Sequence, residues 1–310
     1  MTTKQKTIFG GLVVVLVIAA AGVFPFGWRV ALIGRMFRGD LPGVSWGELV
    51  REVRPFGGEV LLPRNTGTLR EFKFVRKRTD GSRCPFLWET RLGSFWGRAD
   101  DNWILGELNF QMVDGAIYNS HGIATKPGDV IFDVGSHLGV FTKMALDAGA
   151  GTVVAIEPEP INNTCFKQTF EKEIKEGRVV LVEAAAWHSK ETLHFRVHQE
   201  SWAGMVGQQG LKVQGLPMDD IVEDLKLDRV NLVKLDIEGA ERHALNGFRR
   251  TMARLGPDLV VSVYHRPDDP QVVQKIVAAA NPAYNLRESE RRTRSYYMDY
   301  FTIRQNKSPQ

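Results

Sequence analysis

A few residues in this chain have the types and spacing for chemistry. In "VIFDVGSHLGVF", Val130 to Phe141, an apolar run ends at Asp133, and Gly135 and Gly139 follow four residues apart. Further along, Glu157 ends a second apolar run, "TVVAIEP". Glycine lets the backbone turn tightly and lets a ligand come close. An acid ending the second strand of such a pair can accept hydrogen bonds from both ribose hydroxyls of a nucleoside. An ordinary turn between strand and helix is the plainer alternative for the two glycines, and the strand-end Glu157 favours the nucleoside. Later still, Asp236 and Glu238 in "VNLVKLDIEG" and His265 after "DLVVSVY" stand at strand ends or in the turns beyond them. Mutual repulsion would raise the pKa of one of the two acids, and histidine is the base that titrates near neutral pH. The plainer alternatives are a helix-capping role for Glu238 and a loop-bonding role for His265. Glu241 and His243 read as helix surface or packing.

These residues need elements to hold them. From Asp129 onward apolar runs alternate with helical stretches. Strands are expected over Val130–Val134, "TVVAIEP", "RVVLVEAAAW", "VNLVKLDIEG" and "DLVVSVYH", with a small one at "ETLHFRVHQ". Helices are expected over Phe141–Ala148, "EPINNTCFKQTFEKEIKEG", "LPMDDIVEDLKL", "AERHALNGFRRTMARLG" and "DPQVVQKIVAAAN", with two closing strands in the tail. This alternation predicts an α/β, Rossmann-like fold: a mostly parallel sheet with helices on both faces. Ligands of such sheets bind beyond the carboxyl ends of the strands.

The glycine loop has no G-x-G-x-x-G and no Walker lysine, so a pyrophosphate has no cradle. A nucleoside cofactor without phosphates fits better, and S-adenosylmethionine offers a ribose, an adenine and an amino-acid tail. Its sulfonium makes the methyl group electrophilic. The protein must align the nucleophile and, for a hydroxyl, remove its proton. Asp236 and Glu238 are hard ligands, but no third ligand stands at motif spacing, so a metal site is possible but not indicated.

"DVGSHLGVFT", "AIEPEP", "LPMDDIV" and "LVKLDIEGAERHAL" together resemble the FkbM-type methyltransferases, over roughly residues 110–265. The resemblance implies a Rossmann-like methyltransferase fold and methyl transfer from S-adenosylmethionine, often to hydroxyls of sugars or natural products. It places Asp133, Gly135 and Gly139 around the methionyl part, with His137 in the same loop where the family commonly carries Asn. It places Glu157 on the ribose, and Glu183 and Ala184 near the adenine edge, a surface carboxylate being the alternative for Glu183. Asp236 falls where the methyl-transfer site opens. Tyr118 and His121 are candidates to cover the cofactor, and His188 and Trp202 to border substrate.

The front of the chain reads differently. Thr7 to Trp28 carries no charge over 22 residues. As a helix it reaches about 33 Å, enough to cross a bilayer core. A transmembrane helix in residues 1–28 is expected, with a cleaved signal peptide as the alternative. Residues 29–109 form a basic juxtamembrane segment and extension, with a hairpin around "TDG", and residues 110–305 the methyltransferase domain. Residues 1–110 carry 16 Lys/Arg against 10 Asp/Glu, so +6, and the rest carry 24 against 26, so −2. That excess suits anionic lipid. The positive-inside rule leans to a single-pass protein with a cytoplasmic domain. The two cysteines, Cys84 and Cys165, make no disulfide framework, and a reducing compartment is favoured. A glycan, lipid or small-molecule acceptor is expected. No nucleic-acid motif is present. A nicotinamide oxidoreductase, a non-catalytic cofactor-binding module and a secreted protein stand as alternatives.

Overall fold

The computed structural model describes residues 73–77, 82–90, 92–98, 124–197, 205–292 and 297–305. The expected membrane anchor, most of the extension, Tyr118, His121 and Trp202 lie outside them. Among the described residues no helix is long and apolar enough to cross a membrane.

Strands β1 (Lys73–Lys77), β2 (Phe86–Thr90) and β3 (Gly93–Gly97) form a small antiparallel sheet, which extends the expected hairpin by one strand. Next come β4 (Val130–Val134), α1 (Val140–Asp147), β5 (Thr152–Ile156), α2 (Pro160–Thr169), α3 (Glu171–Lys175) and β6 (Val179–Val182). Four short strands follow: β7 (Ala185–Ala186), β8 (Glu191–Arg196), β9 (Met205–Gly207) and β10 (Leu211–Leu216). The remainder is α4 (Met218–Asp224), β11 (Leu232–Leu235), α5 (Glu241–Asn246), α6 (Arg249–Arg254), β12 (Asp258–Ser262), α7 (Asp269–Ala280), β13 (Tyr284–Arg292) and β14 (Tyr297–Gln305).

The main sheet has seven strands in the order β13-β14-β12-β11-β4-β5-β6. Six of them point the same way, and β14 is antiparallel to both its neighbours, so the sheet is mixed. Side chains alternate across β4 because a strand has a period of two. Ile131 packs with Phe141, Ala145 and Phe166 on one face. Phe132 and Val134 pack with Val222, Ala244 and Val273 on the other. Helices therefore cover both faces, as the alternation of elements predicts.

Three expected elements are divided, each for a local reason. The helix after β5 breaks at Phe170, whose backbone (φ −108, ψ 26) leaves the helix while its ring turns inward against Phe166 and Phe95. The helix after β11 breaks at Gly247, where a Cβ would lie 2.0 Å from the Trp187 carbonyl oxygen. The run "RVVLVEAAAW" splits between two sheets. Its first half is β6, and β7 pairs in parallel with β10 in a separate sheet of order β7-β10-β8-β9. Strands β9 and β10 are further elements that the sequence reading did not contain.

The reading of the cysteines is corrected. Cys84 and Cys165 are joined in a disulfide across 81 residues of sequence. Spacing in the chain gave no hint of it. The small sheet folds onto α2 and brings the two Cα atoms to 5.3 Å, within disulfide reach. Two more contacts fix the same sheet. Trp96 N donates to Thr169 Oγ1 at 3.0 Å, and Arg98 pairs with Glu159 at 2.7 Å, both side chains of that pair being buried. A paired cysteine removes the basis for favouring a reducing compartment.

Candidate active site

Strands β4 and β11 are neighbours, with Asp133 opposite Lys234 and Val134 opposite Leu235. The glycine loop and the turn beginning at Asp236 therefore leave the sheet side by side. Gly135 N and Ser136 N both donate to Ile156 O, at 2.9 and 3.2 Å, which ties the loop to the end of β5. Gly135 has φ +76, and a Cβ there would lie 2.2 Å from Asp236 O. Only glycine meets both demands. Gly139 has φ +88, but the group that approaches it is the ring of Phe170, 2.2 Å from a would-be Cβ. Its glycine serves packing, where the sequence suggested ligand approach. His137 has φ 50. Asn and His are among the residues that tolerate this conformation best, so the exchange of one for the other keeps the loop's backbone.

Buried charges hold this loop. Asp133 accepts from Thr142 Oγ1 at 2.7 Å, and Lys234 Nζ lies 3.2 Å from its other oxygen. Lys234 also donates to Gly135 O at 2.7 Å. Sequence reasoning passed over Lys234, although a lysine inside the apolar run "LVKL" was a signal, because lysine is almost never buried unpaired. Glu157 is buried and binds the chain to itself. Its Oε2 accepts from His137 N at 3.0 Å, and its Oε1 from Glu159 N at 3.0 Å and Asn162 Nδ2 at 3.3 Å. Burial raises its pKa, and the His137 charge and these donors oppose the rise. A carboxylate offers about four acceptor positions, so one remains for a ribose hydroxyl where the sequence suggested two. Glu159 Oε1 and Asn163 Oδ1 are buried acceptors without a hydrogen-bond partner among the described residues. They suit a ligand that brings hydroxyl or ammonium donors, as S-adenosylmethionine does.

The turn after β11 is built differently. Glu238 has φ 55, a left-handed conformation that costs a glutamate about 1–2 kcal/mol, and Gly239 continues it at φ +91. The helix after this turn starts at Glu241 with Ala240 at its cap and has no side-chain cap; Glu241, in the first turn, accepts from Ile237 N at 2.9 Å. Glu241, which reads from sequence as helix surface or packing, is wholly buried. His265, from the end of β12, enters this acidic group. Its Nδ1 lies 2.9 Å from Glu241 Oε1, and its Nε2 lies 3.5 Å from Glu238 Oε2 and 3.6 Å from Asp236 Oδ1. Tyr264 Oη donates to Asp236 Oδ1 at 3.1 Å. Burial alone would lower the His265 pKa, but the Glu238 and Glu241 carboxylates outweigh it and push it up to about 11. A ring whose charged form is favoured in this way is a poorer proton acceptor than the neutral imidazole that the sequence suggested. Burial raises the pKa of Glu238, and His265 opposes the rise.

Asp133, Gly135, His137, Glu157, Asp236, Glu238 and His265 thus stand at the carboxyl ends of β4, β5, β11 and β12. Glu183 follows β6 and is half-exposed, paired with Lys167 at 2.5 Å, and Ala184 beside it is buried. His188 belongs to another group, next to Trp187, which stacks on His243 with ring centroids 3.9 Å apart.

Residues 133–290, just over half of the chain, match the family model described as the methyltransferase FkbM domain. The chain is similar to the hexuronic acid methyltransferase AglP of Haloferax volcanii, 28% identical over 155 residues, which are 49% of this chain and 62% of that protein. It is also similar to the 31-O-demethyl-FK506 methyltransferase FkbM of Streptomyces tacrolimicus, 26% identical over 179 residues, 46% of this chain and 69% of that one. The chain thus spans less than two thirds of the length of AglP. Among solved structures, the methyltransferase FkbM of Methylobacillus flagellatus aligns with TM-score 0.46 and 21% identity, over 60% of this chain and 47% of that one.

Proposed function

The chain belongs to the FkbM methyltransferase family, and from that premise we propose that it is an S-adenosylmethionine-dependent O-methyltransferase. One observation carries the reading: the glycine loop and the carboxylate turn share an edge. Lys234 on β11 grips Gly135 O at 2.7 Å, and Gly135 leaves no room for a side chain beside Asp236 O. A ligand on the loop is therefore next to the turn that bears Asp236 and Glu238. Asp133, Gly135 and His137 would hold the amino-acid part of the cofactor, Glu157 and Glu159 its ribose, and Ala184 the adenine edge. When bound, S-adenosylmethionine supplies a methyl group made electrophilic by its sulfonium. The chain's part is to orient the acceptor hydroxyl and take its proton. Glu238 is the group assigned to that task, because its side chain is partly exposed at 24% while Glu241 is closed off from solvent. The acceptor oxygen would take the methyl group as its bond to the sulfonium breaks, leaving S-adenosylhomocysteine, and Glu238 would take the hydroxyl proton.

A sugar hydroxyl is the first acceptor class to test, since AglP is named for a hexuronic acid. The apolar stretch Thr7–Trp28 supports an anchored enzyme acting on a membrane-associated glycan or lipid. The Cys84–Cys165 disulfide favours an oxidising compartment for the domain over the cytoplasm. Family membership displaces the oxidoreductase alternative.

The test is calorimetric titration of the full chain with S-adenosylmethionine and S-adenosylhomocysteine, followed by transfer of labelled methyl to uronic-acid glycans and membrane lipids. Binding with transfer supports the proposal. Binding without transfer to any acceptor leaves the non-catalytic module. A folded chain that binds neither compound sinks the cofactor assignment.

A further inference from the structure

We infer that Asp236, Glu241 and His265 form a divalent-cation site beside the glycine loop. One ligand atom from each of the three lies within 4.8 Å of the others. Ligands about 2.1 Å from a common cation stand about 3.0–3.4 Å apart when adjacent, and His265 Nδ1 and Glu241 Oε1 are 2.9 Å apart. Two further observations point to a ligand in this place. Glu241 is wholly buried, yet its Oε2 has no hydrogen-bond partner. The His265 side chain is 8% exposed, and its Nδ1 faces the same carboxylate at 2.9 Å. A buried carboxylate oxygen without a partner costs free energy. A cation taken up by Nδ1 and the two carboxylates removes the cost.

The surroundings complete the arrangement. With Nδ1 on the cation, Nε2–H faces Glu238 Oε2 at 3.5 Å and Asp236 Oδ1 at 3.6 Å. A carboxylate behind a ligating imidazole is the usual outer partner of such a histidine, and it fixes the ring's tautomer. Tyr264 Oη steadies Asp236 from the side at 3.1 Å. Two carboxylates and one imidazole suit Mn2+, with its taste for oxygen, better than a thiolate-seeking ion. The cation's binding stands on this geometry alone. Its use, orienting an acceptor hydroxyl next to Glu238, rests on the methyltransferase reading above.

Mn2+ is the probe. Titration of the full chain, with free Mn2+ read by electron paramagnetic resonance, is expected to show one ion bound per chain, with Kd raised at least tenfold in Asp236→Asn and in His265→Asn. Pulsed resonance on the wild type is expected to show nitrogen coupling from a directly bound imidazole, and this readout needs no variant to fold. No uptake by the folded wild type, no nitrogen coupling, or unchanged affinity in both folded variants overturns the inference. S-adenosylhomocysteine titrated with and without Mn2+ keeps the two readings apart. If it binds while Mn2+ does not, the cation site alone fails. If Mn2+ binds while it does not, the cofactor reading alone fails.

Discussion

The two loops that meet where Gly135 abuts Asp236 treat their polar groups in opposite ways. After β4 and β5 most of the charge is held by the chain itself: Asp133 has Thr142 and Lys234, and Glu157 accepts three donors, while Glu159 Oε1 is left over. After β11, three carboxylates crowd one imidazole at 2.9 to 3.6 Å, and their donors are few: Tyr264 Oη to Asp236 and Ile237 N to Glu241. The first loop is preorganised and part of the fold's stability. The second keeps unsettled groups for something still to arrive. Charge substitutions should therefore hurt folding in the first loop and chemistry in the second.

Lys234→Met tests this most severely. It leaves Asp133 charged and buried without its cation and is expected to cost about 4 kcal/mol in denaturant unfolding. A cost below about 1 kcal/mol would mean that the first loop does not depend on its charges. Removal of the disulfide, by Cys84→Ser with Cys165→Ser, comes next at about 3 kcal/mol, because it frees a long loop in the unfolded chain. Non-reducing and reducing unfolding curves of the wild type should differ by a similar amount. Gly135→Ala adds a Cβ 2.2 Å from a backbone oxygen at φ +76. It is expected to cost about 2 kcal/mol and to abolish S-adenosylhomocysteine binding, since the two loops are forced apart.

Tyr284→Phe is a control remote from both loops. The Tyr284 hydroxyl donates to Pro257 O at 2.9 Å, and burial raises its pKa well above the usual range. Because the folded value is the higher, the contribution is complete below the unfolded pKa, about 10, and is lost as pH rises above it. The variant should cost about 1 kcal/mol at pH 7 and flatten the alkaline limb of the stability profile. Glu238→Gln has the smallest expected effect on stability, about 0.5 kcal/mol or less. Methyl transfer should nonetheless fall about a hundredfold to ten-thousandfold. A variant as active as the wild type would remove Glu238 from the proton step.

Much of the fold was legible because parallel strands buried on both faces read as short apolar runs. β4, β5, β11 and β12 fall where "VIFDV", "TVVAI", "LVKL" and "DLVVS" stand. The breaks at Phe170 and Gly247 were not legible, because each depends on a partner distant in sequence: Phe95 for one, the Trp187 carbonyl for the other. The same holds within the site. Asp133, Gly135 and Asp236 announce themselves by type and position. Glu241 does not, because a glutamate at the start of a helix looks like an ordinary solvated acid until β12 delivers His265 against it.

By itself the sequence determined which residues end strands, which positions must be glycine, and that the loop after β4 has no pyrophosphate cradle. Those are local properties, set by backbone sterics and by residue type. Only the tertiary structure decided that Cys84 meets Cys165, that Lys234 holds Gly135, and that Asp236, Glu241 and His265 surround one point. Such contacts join chain segments tens of residues apart, and no spacing rule records a distance that the packing of the sheet creates.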